Sequence, residues 1–587
     1  MPCKRKKGRV KKLIVGIDLG TSTSEIAYVD EDGKVIVIPN SENELVTPSV
    51  VHIRHDGRPI VGSEAREYLF TRPESTYMEI KRKFGTNEKL MTHGKIFAPE
   101  EIQAHIIECL VDCAEDFTGE DVTGAVITVH AYFTDVQRKQ TIRAGELAGI
   151  DVKRVINEPT AAAMDYGLQN MSECENILVY DFGGGTLDVT VLELFEGVID
   201  VKSSSGNNQL GGKDFDEALM EHIGGSRYKE FMDDPRAEMK LKQAATECKI
   251  ALSSDESTHV RIPLITESHS IDITVDRSKF EELIKPLIES TGEQIDTAIK
   301  DAGLSHTDLN RVILVGGTTR VPLVRRFVEE KLGITDNPAA DSDLTPELMV
   351  VRGAAIRAAI LDGVIAEDES VVLADVCPFS LGVKVATNTG FVVDPLIKRN
   401  ITIPYEYSKV YVALEEYQRA LVFEIYQGEN KNAYENTRIG QLNLDKLPQR
   451  RDELAKAEVT FSYDVNGILS VKARALGNDN TAAIDIDINN NDLPVQLPVK
   501  LSEWRKADGA SKLRPLLRKA QKMFDEYIGD DIFMEERLFI FQDMCDGVKA
   551  DLIRGNKEEA EEKAKIIKEF VESWKPMDRT RLEDWDI

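Results

Sequence analysis

The chain has 587 residues, of which 42% are hydrophobic and 30% are charged, and its formal net charge is −29. This length is too great for one hydrophobic core and predicts several domains, and the composition is that of a globular protein. We find no apolar run of the roughly 18 residues that a membrane helix needs, and the acidity disfavours nucleic-acid binding through a basic surface.

The first twelve residues form the one strongly basic segment, with cations at every position from 4 to 7. They lack the apolar stretch of a secretory signal, so we predict a disordered, solvated tail, with a nuclear address or an anionic contact as the alternative. The seven cysteines include no Cys-x-x-Cys pair, which is typical of a reducing compartment. We therefore expect a cytoplasmic protein and interpret Cys109 and Cys113, one helical turn apart, as packing residues rather than zinc ligands.

Between residue 13 and about residue 370, apolar runs of strand type alternate with helical stretches. Strands interleaved with helices predict α/β layers. We predict strands at residues 13–17, 125–129, 177–180 and 312–315, and helices at residues 99–117, 136–147 and 276–302.

Three glycine-rich segments follow apolar runs in this region. In the first two, an aspartate ends the run and is followed by glycines and a threonine. Glycine lets backbone N–H groups approach phosphate oxygens, hydroxyls donate to them, and a carboxylate can hold a hydrated Mg²⁺. A tight turn would explain any one segment but not two copies of one pattern, and neither the P-loop nor the Rossmann fingerprint occurs. The segments contain Asp18, Gly20, Thr21 and Ser22; Asp181, Gly183, Gly184, Gly185, Thr186 and Asp188; and Gly316, Gly317 and Arg320.

The pattern of apolar and polar residues changes after Asp375. Apolar and polar residues alternate at 410–414, 421–425, 459–465 and 484–488, and Asn466-Gly467 is a two-residue hairpin signal. We therefore predict a compact antiparallel β domain at residues 376–490. The linker before it, 367–375, has three apolar residues at 371–373, which indicates that it docks, because most linkers are polar; an ordinary edge strand is the alternative.

The last part of the sequence is helical in pattern. We predict a helix from about residue 511 that carries Leu513, Leu516 and Leu517 on one face, and further helices at 533–553 and 557–574.

The three glycine-rich segments resemble the two phosphate loops and the adenosine loop of the actin, hexokinase and heat-shock ATPase superfamily. Residues 157–163, 210–216 and 371–375 are similar to the DnaK-type, seventy-kilodalton heat-shock chaperones, and the resemblance runs from about residue 13 to about residue 490. It implies a divergent, short member with a basic tail at 1–12, a two-lobed α/β ATPase of the actin/hexokinase type at 13–366 and a linker at 367–375. An antiparallel β-sandwich that binds peptides would follow at 376–490, and a lid-like α-helical region at 491–587.

The resemblance also implies roles for residues of the ATPase. Lys81 would orient the attacking water; without the resemblance, Lys81-Arg82-Lys83 would be interpreted as a solvated basic face. Glu158 would join the network of water and Mg²⁺; the alternative is that Glu-Pro is simply a common start of a helix. Asp18 and Asp181 would surround Mg²⁺ through its waters, with K⁺ near the same carboxylates. The phosphates would be bound by Gly20, Thr21, Ser22, Gly183, Gly184 and Gly185, with Thr186 and Asp188 close by. The adenosine would be bound by Gly316, Gly317, Arg320, Lys249 and Ser253. Two positions near it depart from the family, since Glu347 stands where relatives have Asp and Thr246 where they have Glu.

In the β domain the resemblance implies a pocket for an extended hydrophobic peptide. Ala386 and Leu414 align with the arch over it, and Tyr411 and Leu421 lie near it; ordinary core positions are the alternative. Leu373 and Asp375 would transmit the nucleotide state, and Arg154 with Asp375 would respond to a J-domain protein. His130, with Arg138, stands at a switch where relatives have proline, and we interpret it either as neutral drift or as a looser coupling that depends on pH between 6 and 8.

The function that the resemblance implies is ATP-dependent capture and release of unfolded polypeptides in the stress response. Its implied partners are client chains, a J-domain cochaperone and a nucleotide-exchange factor, and we expect a monomer that binds neither nucleic acid nor membrane. A small-molecule kinase of the same superfamily, and a regulatory or cochaperone-like relative with a weak ATPase, are the alternatives.

Overall fold

The computed structural model describes residues 12–86, 88–170, 173–333, 348–366, 372–387, 390–413, 418–448, 454–477, 481–485, 499–527 and 532–573. Glu347, Leu414, almost all of the basic tail and the first part of the linker lie outside these residues. The chain divides into two compact units: the first contains Met1–Pro378, Asn400–Tyr405 and Tyr463–Ile468, and the second contains the remainder. None of the described helices is long and apolar enough to cross a membrane.

Two mixed sheets organise the first unit, and the central part of each is built in the same way. In the first sheet, Lys12–Leu19 pairs in parallel with Asp121–Val129 and antiparallel with Thr23–Val29. In the second sheet, Cys174–Phe182 pairs in parallel with Arg311–Val315 and antiparallel with Leu187–Phe195. The first sheet runs in the order Asp151–Asn157, Asp121–Val129, Lys12–Leu19, Thr23–Val29, Val35–Val37, and the second in the order Arg311–Val315, Cys174–Phe182, Leu187–Phe195, Val198–Asn207, Val372–Val376, Thr402–Ile403.

Helices pack on these sheets through apolar faces. Pro99–Thr118 has proline in its first position and ends before Gly119, whose φ of 69° is favourable for glycine. Its buried Ile102, Ile106 and Leu110 share one face and join the core of the first sheet. The other α-helices of the first unit are Ser63–Thr71, Asp135–Leu147, Glu158–Gln169, Gly212–Gly224, Tyr228–Met232, Pro235–Ser254, Arg277–Ser290, Gly292–Asp301, Pro322–Leu332 and Met349–Asp362.

The single helix predicted at residues 276–302 is wrong, because the structure has two helices, Arg277–Ser290 and Gly292–Asp301. Thr291 lies between them, and its hydroxyl donates to the carbonyl of Ile288 at 2.7 Å. Side-chain bonds of this kind compete with the helical hydrogen-bond ladder. The smaller elements of this unit are the strands Thr47–Pro48, Val50–Ile53, Pro59–Val61, Thr76–Met78, Leu90–Thr92, Lys95–Phe97, Ser257–Thr266 and His269–Asp276, and the 3-10 turns Pro73–Ser75, Ile80–Lys83, Gly225–Arg227, His306–Asp308 and Gly317–Arg320.

The described part of the apolar linker is a strand of the second sheet. Val372–Val376 pairs in parallel with Val198–Asn207, with Leu373 opposite Ile199. Leu373 is half-buried against the apolar cluster beneath that sheet. The segment therefore docks on the first unit as an added strand.

The second unit contains two antiparallel sheets followed by helices. Apolar and polar residues alternate between the buried and exposed faces of strands such as Lys456–Tyr463, as in a half-buried sheet. One sheet has the order Gly390–Ile397, Leu381–Thr387, Leu421–Gln427, Thr437–Leu444; the other has Tyr405–Val412, Lys456–Tyr463, Leu469–Ala475, Thr481–Asp485. A 3-10 turn lies at Ala433–Glu435 and another at Leu501–Lys506.

Three helices end the described chain: Ala510–Tyr527, Ile532–Arg554 and Lys557–Ser573. They share one apolar cluster that includes Leu517 and Ile567. The fold class expected from the sequence, with mixed α/β sheets, then antiparallel sheets, then a helical segment, is confirmed.

Candidate active site

The two aspartate-ended strands and the third glycine-rich segment open onto one cavity of about 570 Å³ in the first unit. Fourteen residues that the sequence analysis singled out as site residues line it together. They are Asp18, Gly20, Thr21, Ser22, His130, Glu158, Asp181, Gly183, Gly184, Lys249, Ser253, Gly316, Gly317 and Arg320.

Glycine is required in this wall because the segments approach each other closely. A Cβ added to Gly184 would lie 2.2 Å from the Ser22 hydroxyl oxygen. Gly316 has a φ of 83°, and its Cβ would lie 2.6 Å from the carbonyl oxygen of Phe182. The cavity is therefore lined by backbone that a ligand can approach without side chains in the way.

Lys81 and Glu158 form a buried ion pair at the aspartate end of the cavity. Lys81 lies on the turn Ile80–Lys83 and is 1% exposed, and its Nζ is 2.5 Å from Oε1 of Glu158. Glu158 is the first residue of the helix Glu158–Gln169, and Pro159 follows it. The alternative of a solvated basic face is wrong for Lys81.

His130 completes this group on the other side of Glu158. Its Nδ1 lies 2.5 Å from Oε2 of Glu158 and 3.6 Å from Oδ2 of Asp188. The Thr186 hydroxyl oxygen is 3.0 Å from both ring nitrogens, and the backbone N–H of Ala131 donates to Asp188 at 3.1 Å. The predicted catalytic residues Lys81, Glu158, Thr186 and Asp188 are thus brought together around a histidine.

The neighbouring charges shift the pKa values of His130 and Glu158 in opposite directions. Burial lowers the pKa of His130, but the Glu158 and Asp188 carboxylates raise it more, and the result is a pKa of about 9. A pKa of about 9 lies above the interval between pH 6 and 8 in which the pH-dependent interpretation of His130 expected its titration. Burial raises the pKa of Glu158, but His130 and Lys81 lower it to about 2.

At Asp18 and Asp181, burial and neighbouring carboxylates outweigh the nearby cations. Burial, together with the Glu158 carboxylate, raises the pKa of Asp18 to about 6, although the Thr128 hydroxyl donates to it at 2.6 Å. Burial and the nearby carboxylates of Glu158 and Asp188 raise the pKa of Asp181 well above its usual range. A bound divalent cation would relieve this repulsion and keep both groups ionised.

A buried polar atom in the wall supports the same conclusion. Oγ1 of Thr21, which lines the cavity, has no hydrogen-bond partner among the described residues. Buried polar atoms are normally satisfied, so this hydroxyl, in a glycine-lined wall beside two aspartates of raised pKa, fits a cavity built for a polyanion with its metal ion.

The other end of the cavity carries the side chains predicted to hold a nucleoside. Lys249 donates to Asp216 at 2.9 Å and to the carbonyl of Gly212 at 2.9 Å. Thr246, on the same helix, contacts Asp216 and lines the cavity.

Sequence analysis missed a group of charges that also lines this cavity. Glu79 accepts from Lys213 at 3.3 Å and from Lys242 at 2.7 Å. These three residues come from distant parts of the chain and carry no local motif, so no sequence signal indicated them.

A hydrogen-bonded group joins the active-site strands to the linker. Arg138 donates to Oδ1 of Asn157 at 2.7 Å and to the carbonyl of Ala131 at 3.0 Å. The Asn157 amide donates in turn to Oδ2 of Asp375 at 2.9 Å. Burial and Arg357 lower the pKa of Arg154, and the Asp375 carboxylate acts in the opposite sense. Asn157, to which the sequence analysis assigned no role, therefore links Arg138 and Asp375, two residues that it expected to take part in switching.

The three described residues that were predicted to bind peptide lie on three strands of the second unit, and the fourth, Leu414, lies outside the described residues. Ala386 is half-buried, Leu421 is buried, and the Tyr411 hydroxyl donates to Asp394 at 2.7 Å. The Tyr411 ring lies 5.8 Å from that of Phe423, two residues after Leu421 on its strand. The C-terminal helices touch this unit through Asp543, which accepts from Lys384 at 3.0 Å and from Tyr434 at 2.9 Å.

Comparison with known proteins identifies the family. A family model described as "Hsp70 protein" matches residues 14–93 and 86–503. The chain is 43% identical over 477 residues to the "Chaperone protein DnaK" of Thermotoga petrophila, covering 80% of this chain and 79% of that protein. It is 37% identical over 597 aligned positions to that of Methanothermobacter thermautotrophicus, covering 97% and 98% respectively. The chain belongs to the Hsp70 family, whose members are chaperones and nucleotide-binding ATPases.

Proposed function

We propose that this protein captures exposed hydrophobic segments of unfolded polypeptides and that ATP binding and hydrolysis control their capture and release. The observation that carries the proposal is the convergence of three glycine-rich segments on one cavity of about 570 Å³ with a buried lysine–glutamate pair at its aspartate end. A slow ATPase that uses the nucleotide as a timer needs this combination of phosphate cradle and fixed cation.

The residues divide the chemistry among them. Asp18 and Asp181 would hold Mg²⁺, with K⁺ near the same carboxylates, and these ions would supply positive charge against the phosphates. Lys81 orients the attacking water and stabilises charge that develops on the phosphoryl oxygens. Glu158 keeps Lys81 in place through the 2.5 Å contact and orders the surrounding water. Gly20, Thr21, Ser22, Gly183, Gly184, Gly185, Thr186 and Asp188 surround the phosphates, and Lys249, Ser253, Gly316, Gly317, Arg320 and Glu347 surround the adenosine.

The linker is the element that we propose to carry the nucleotide state to the peptide site. Its strand pairs with Val198–Asn207, and Asp375 is bonded through Asn157 to Arg138. ATP binding favours this docked linker and peptide release, and hydrolysis frees the linker and traps the peptide. We assign the ATPase to residues 13–366, the linker to 367–375, the peptide-binding β domain to 376–490 and the lid-like helices to 491–587.

Partners follow from the same assignment. A J-domain cochaperone stimulates hydrolysis through Arg154 and Asp375, and a nucleotide-exchange factor completes the cycle of a monomeric chaperone. The peptide lies between the arch residues Ala386 and Leu414 and the pocket residues Tyr411 and Leu421. Two antiparallel sheets behind a docked linker disfavour a small-molecule kinase, which has no use for them.

The test is ATP hydrolysis by the full chain, measured alone, with an unfolded peptide, and with the peptide and a J-domain protein. We expect slow, Mg²⁺-dependent hydrolysis that both additions accelerate. ATP turnover that peptide and J-domain protein leave unchanged, and that requires a small hydroxylated acceptor for the phosphoryl group, would establish the kinase instead.

A further inference from the structure

His130 lies at the end of the strand Asp121–Val129, inside the group of residues to which we assign hydrolysis. It is 6% exposed. Its Nδ1 is 2.5 Å from Oε2 of Glu158, whose other oxygen, Oε1, is 2.5 Å from Nζ of Lys81. The Glu158 carboxylate is therefore held between two cationic groups, one on each oxygen.

A metal ion held by His130, Glu158 and Asp188 is the first alternative to consider. Their ligand atoms lie within 4.8 Å of one another and all three side chains are buried. Two ligands of one ion with bonds of about 2.0–2.2 Å stand about 3 Å apart, whereas Nδ1 and Oε2 are separated by 2.5 Å. That distance is a charge-assisted hydrogen bond, and the neighbouring Lys81 ammonium opposes a second cation at this point.

We propose that His130 is a positioning residue for hydrolysis: its Nδ1–H holds Oε2 of Glu158 on the side opposite Lys81 and so fixes the carboxylate that keeps the lysine ammonium in place. This inference rests on the proposed ATPase function. The carboxylates that face the ring are Glu158 and Asp188, and the nearest cation is Lys81. Glu158, through which His130 acts, lines the cavity.

The test uses the full chain and separates binding from chemistry. Single-turnover hydrolysis of bound ATP is measured beside the equilibrium affinity for ATP and for ADP with aluminium fluoride. His130→Ala should slow hydrolysis by about 10- to 100-fold, a typical loss when an outer partner that orients a functional group is removed, and ATP affinity should change by less than about threefold. Affinity for ADP with aluminium fluoride should fall in parallel with the rate.

Two further variants distinguish positioning from packing. Asparagine places an amide N–H near the position of Nδ1, so His130→Asn should keep the hydrogen bond to Glu158 without the charge and lose less than His130→Ala. His52, which is 4% exposed and bonds Thr76 at 2.9 Å, is a matched buried histidine outside the cavity lining. His52→Asn should leave single-turnover hydrolysis within about twofold of the unaltered chain.

The combination with Glu158→Gln tests the route of action. If His130 works through the Glu158 carboxylate, the losses of His130→Ala and Glu158→Gln should not multiply in the double variant. Hydrolysis by His130→Ala within twofold of the unaltered chain, or a parallel loss of ATP affinity and rate, would overturn the inference. Absence of ATP hydrolysis in the unaltered chain would instead refute the proposed function itself.

Discussion

Lys81→Met should stop the chemical step while leaving ATP bound. The ammonium of Lys81 is almost fully buried and lies 2.5 Å from Glu158. Loss of one preorganised donor or cation at developing negative charge costs about 10²–10³ in rate, or about 2.7–4 kcal/mol of transition-state stabilisation. Because we assign Lys81 to the transition state rather than to the adenosine, ATP affinity should change by less than about threefold. Single-turnover hydrolysis and equilibrium titration with a fluorescent nucleotide measure the two quantities.

The same substitution has a calculable effect on stability. Removing one partner of a buried ion pair costs about 3–5 kcal/mol, because the remaining charge is left buried. His130 still holds Oε2 of Glu158, so we expect the lower end, about 3 kcal/mol of unfolding free energy in urea.

A double variant provides the control. Lys81→Met with Glu158→Gln removes both charges of the pair and should be more stable than the sum of the two single losses. Strict additivity would show that the pair is not coupled, and a loss of ATP affinity as large as the loss of rate would refute the assigned role of Lys81.

Three further predictions concern the linker, the histidine and the C-terminal helices. Leu373→Asp should remove about 1.5 kcal/mol of apolar burial and uncouple peptide release from ATP while basal hydrolysis is preserved. Val372→Asp, at a position 57% exposed on the same strand, should leave the coupling intact. ATP-accelerated release in Leu373→Asp would contradict linker docking. The pKa of about 9 for His130 lies above its ordinary 6.5, so its contribution to unfolding free energy, up to about 3 kcal/mol, is complete below about pH 6.5 and is lost as pH rises through 9. Urea unfolding of the nucleotide-free chain should show this decline relative to His130→Asn, and a difference between the two proteins that is constant from pH 6.5 to 9 would contradict the charged pair. Asp543→Asn weakens the contacts with Lys384 and Tyr434 and should speed amide hydrogen exchange in the helix Ile532–Arg554; unchanged exchange would show that the contact does not hold this helix.

Much of the fold follows from local sequence pattern. The strands that contain Asp18 and Asp181 are apolar runs followed by glycine. In the structure each of them has one parallel and one antiparallel neighbour. The helix predicted at residues 276–302 failed at Thr291, because periodicity does not reveal a hydroxyl that bonds the preceding turn.

The site was less accessible to sequence reasoning wherever it depends on pairs from distant elements. Lys81 and Glu158 came from resemblance alone, and the Glu79 contacts with Lys213 and Lys242 carry no motif. His130 was interpreted as a switch residue or as drift, since its sequence position gives no sign that Glu158, Thr186 and Asp188 surround its ring. The shift of its pKa follows from those neighbours, which only the fold brings together.

The most direct test of the account is the release of a labelled hydrophobic peptide from the full chain after addition of Mg²⁺ with ATP or with ADP. The account predicts rapid release with ATP and slow release with ADP, and the ATP effect should survive in Lys81→Met, which binds ATP without hydrolysing it. Equal release rates with the two nucleotides would contradict the claim that the nucleotide controls the peptide site.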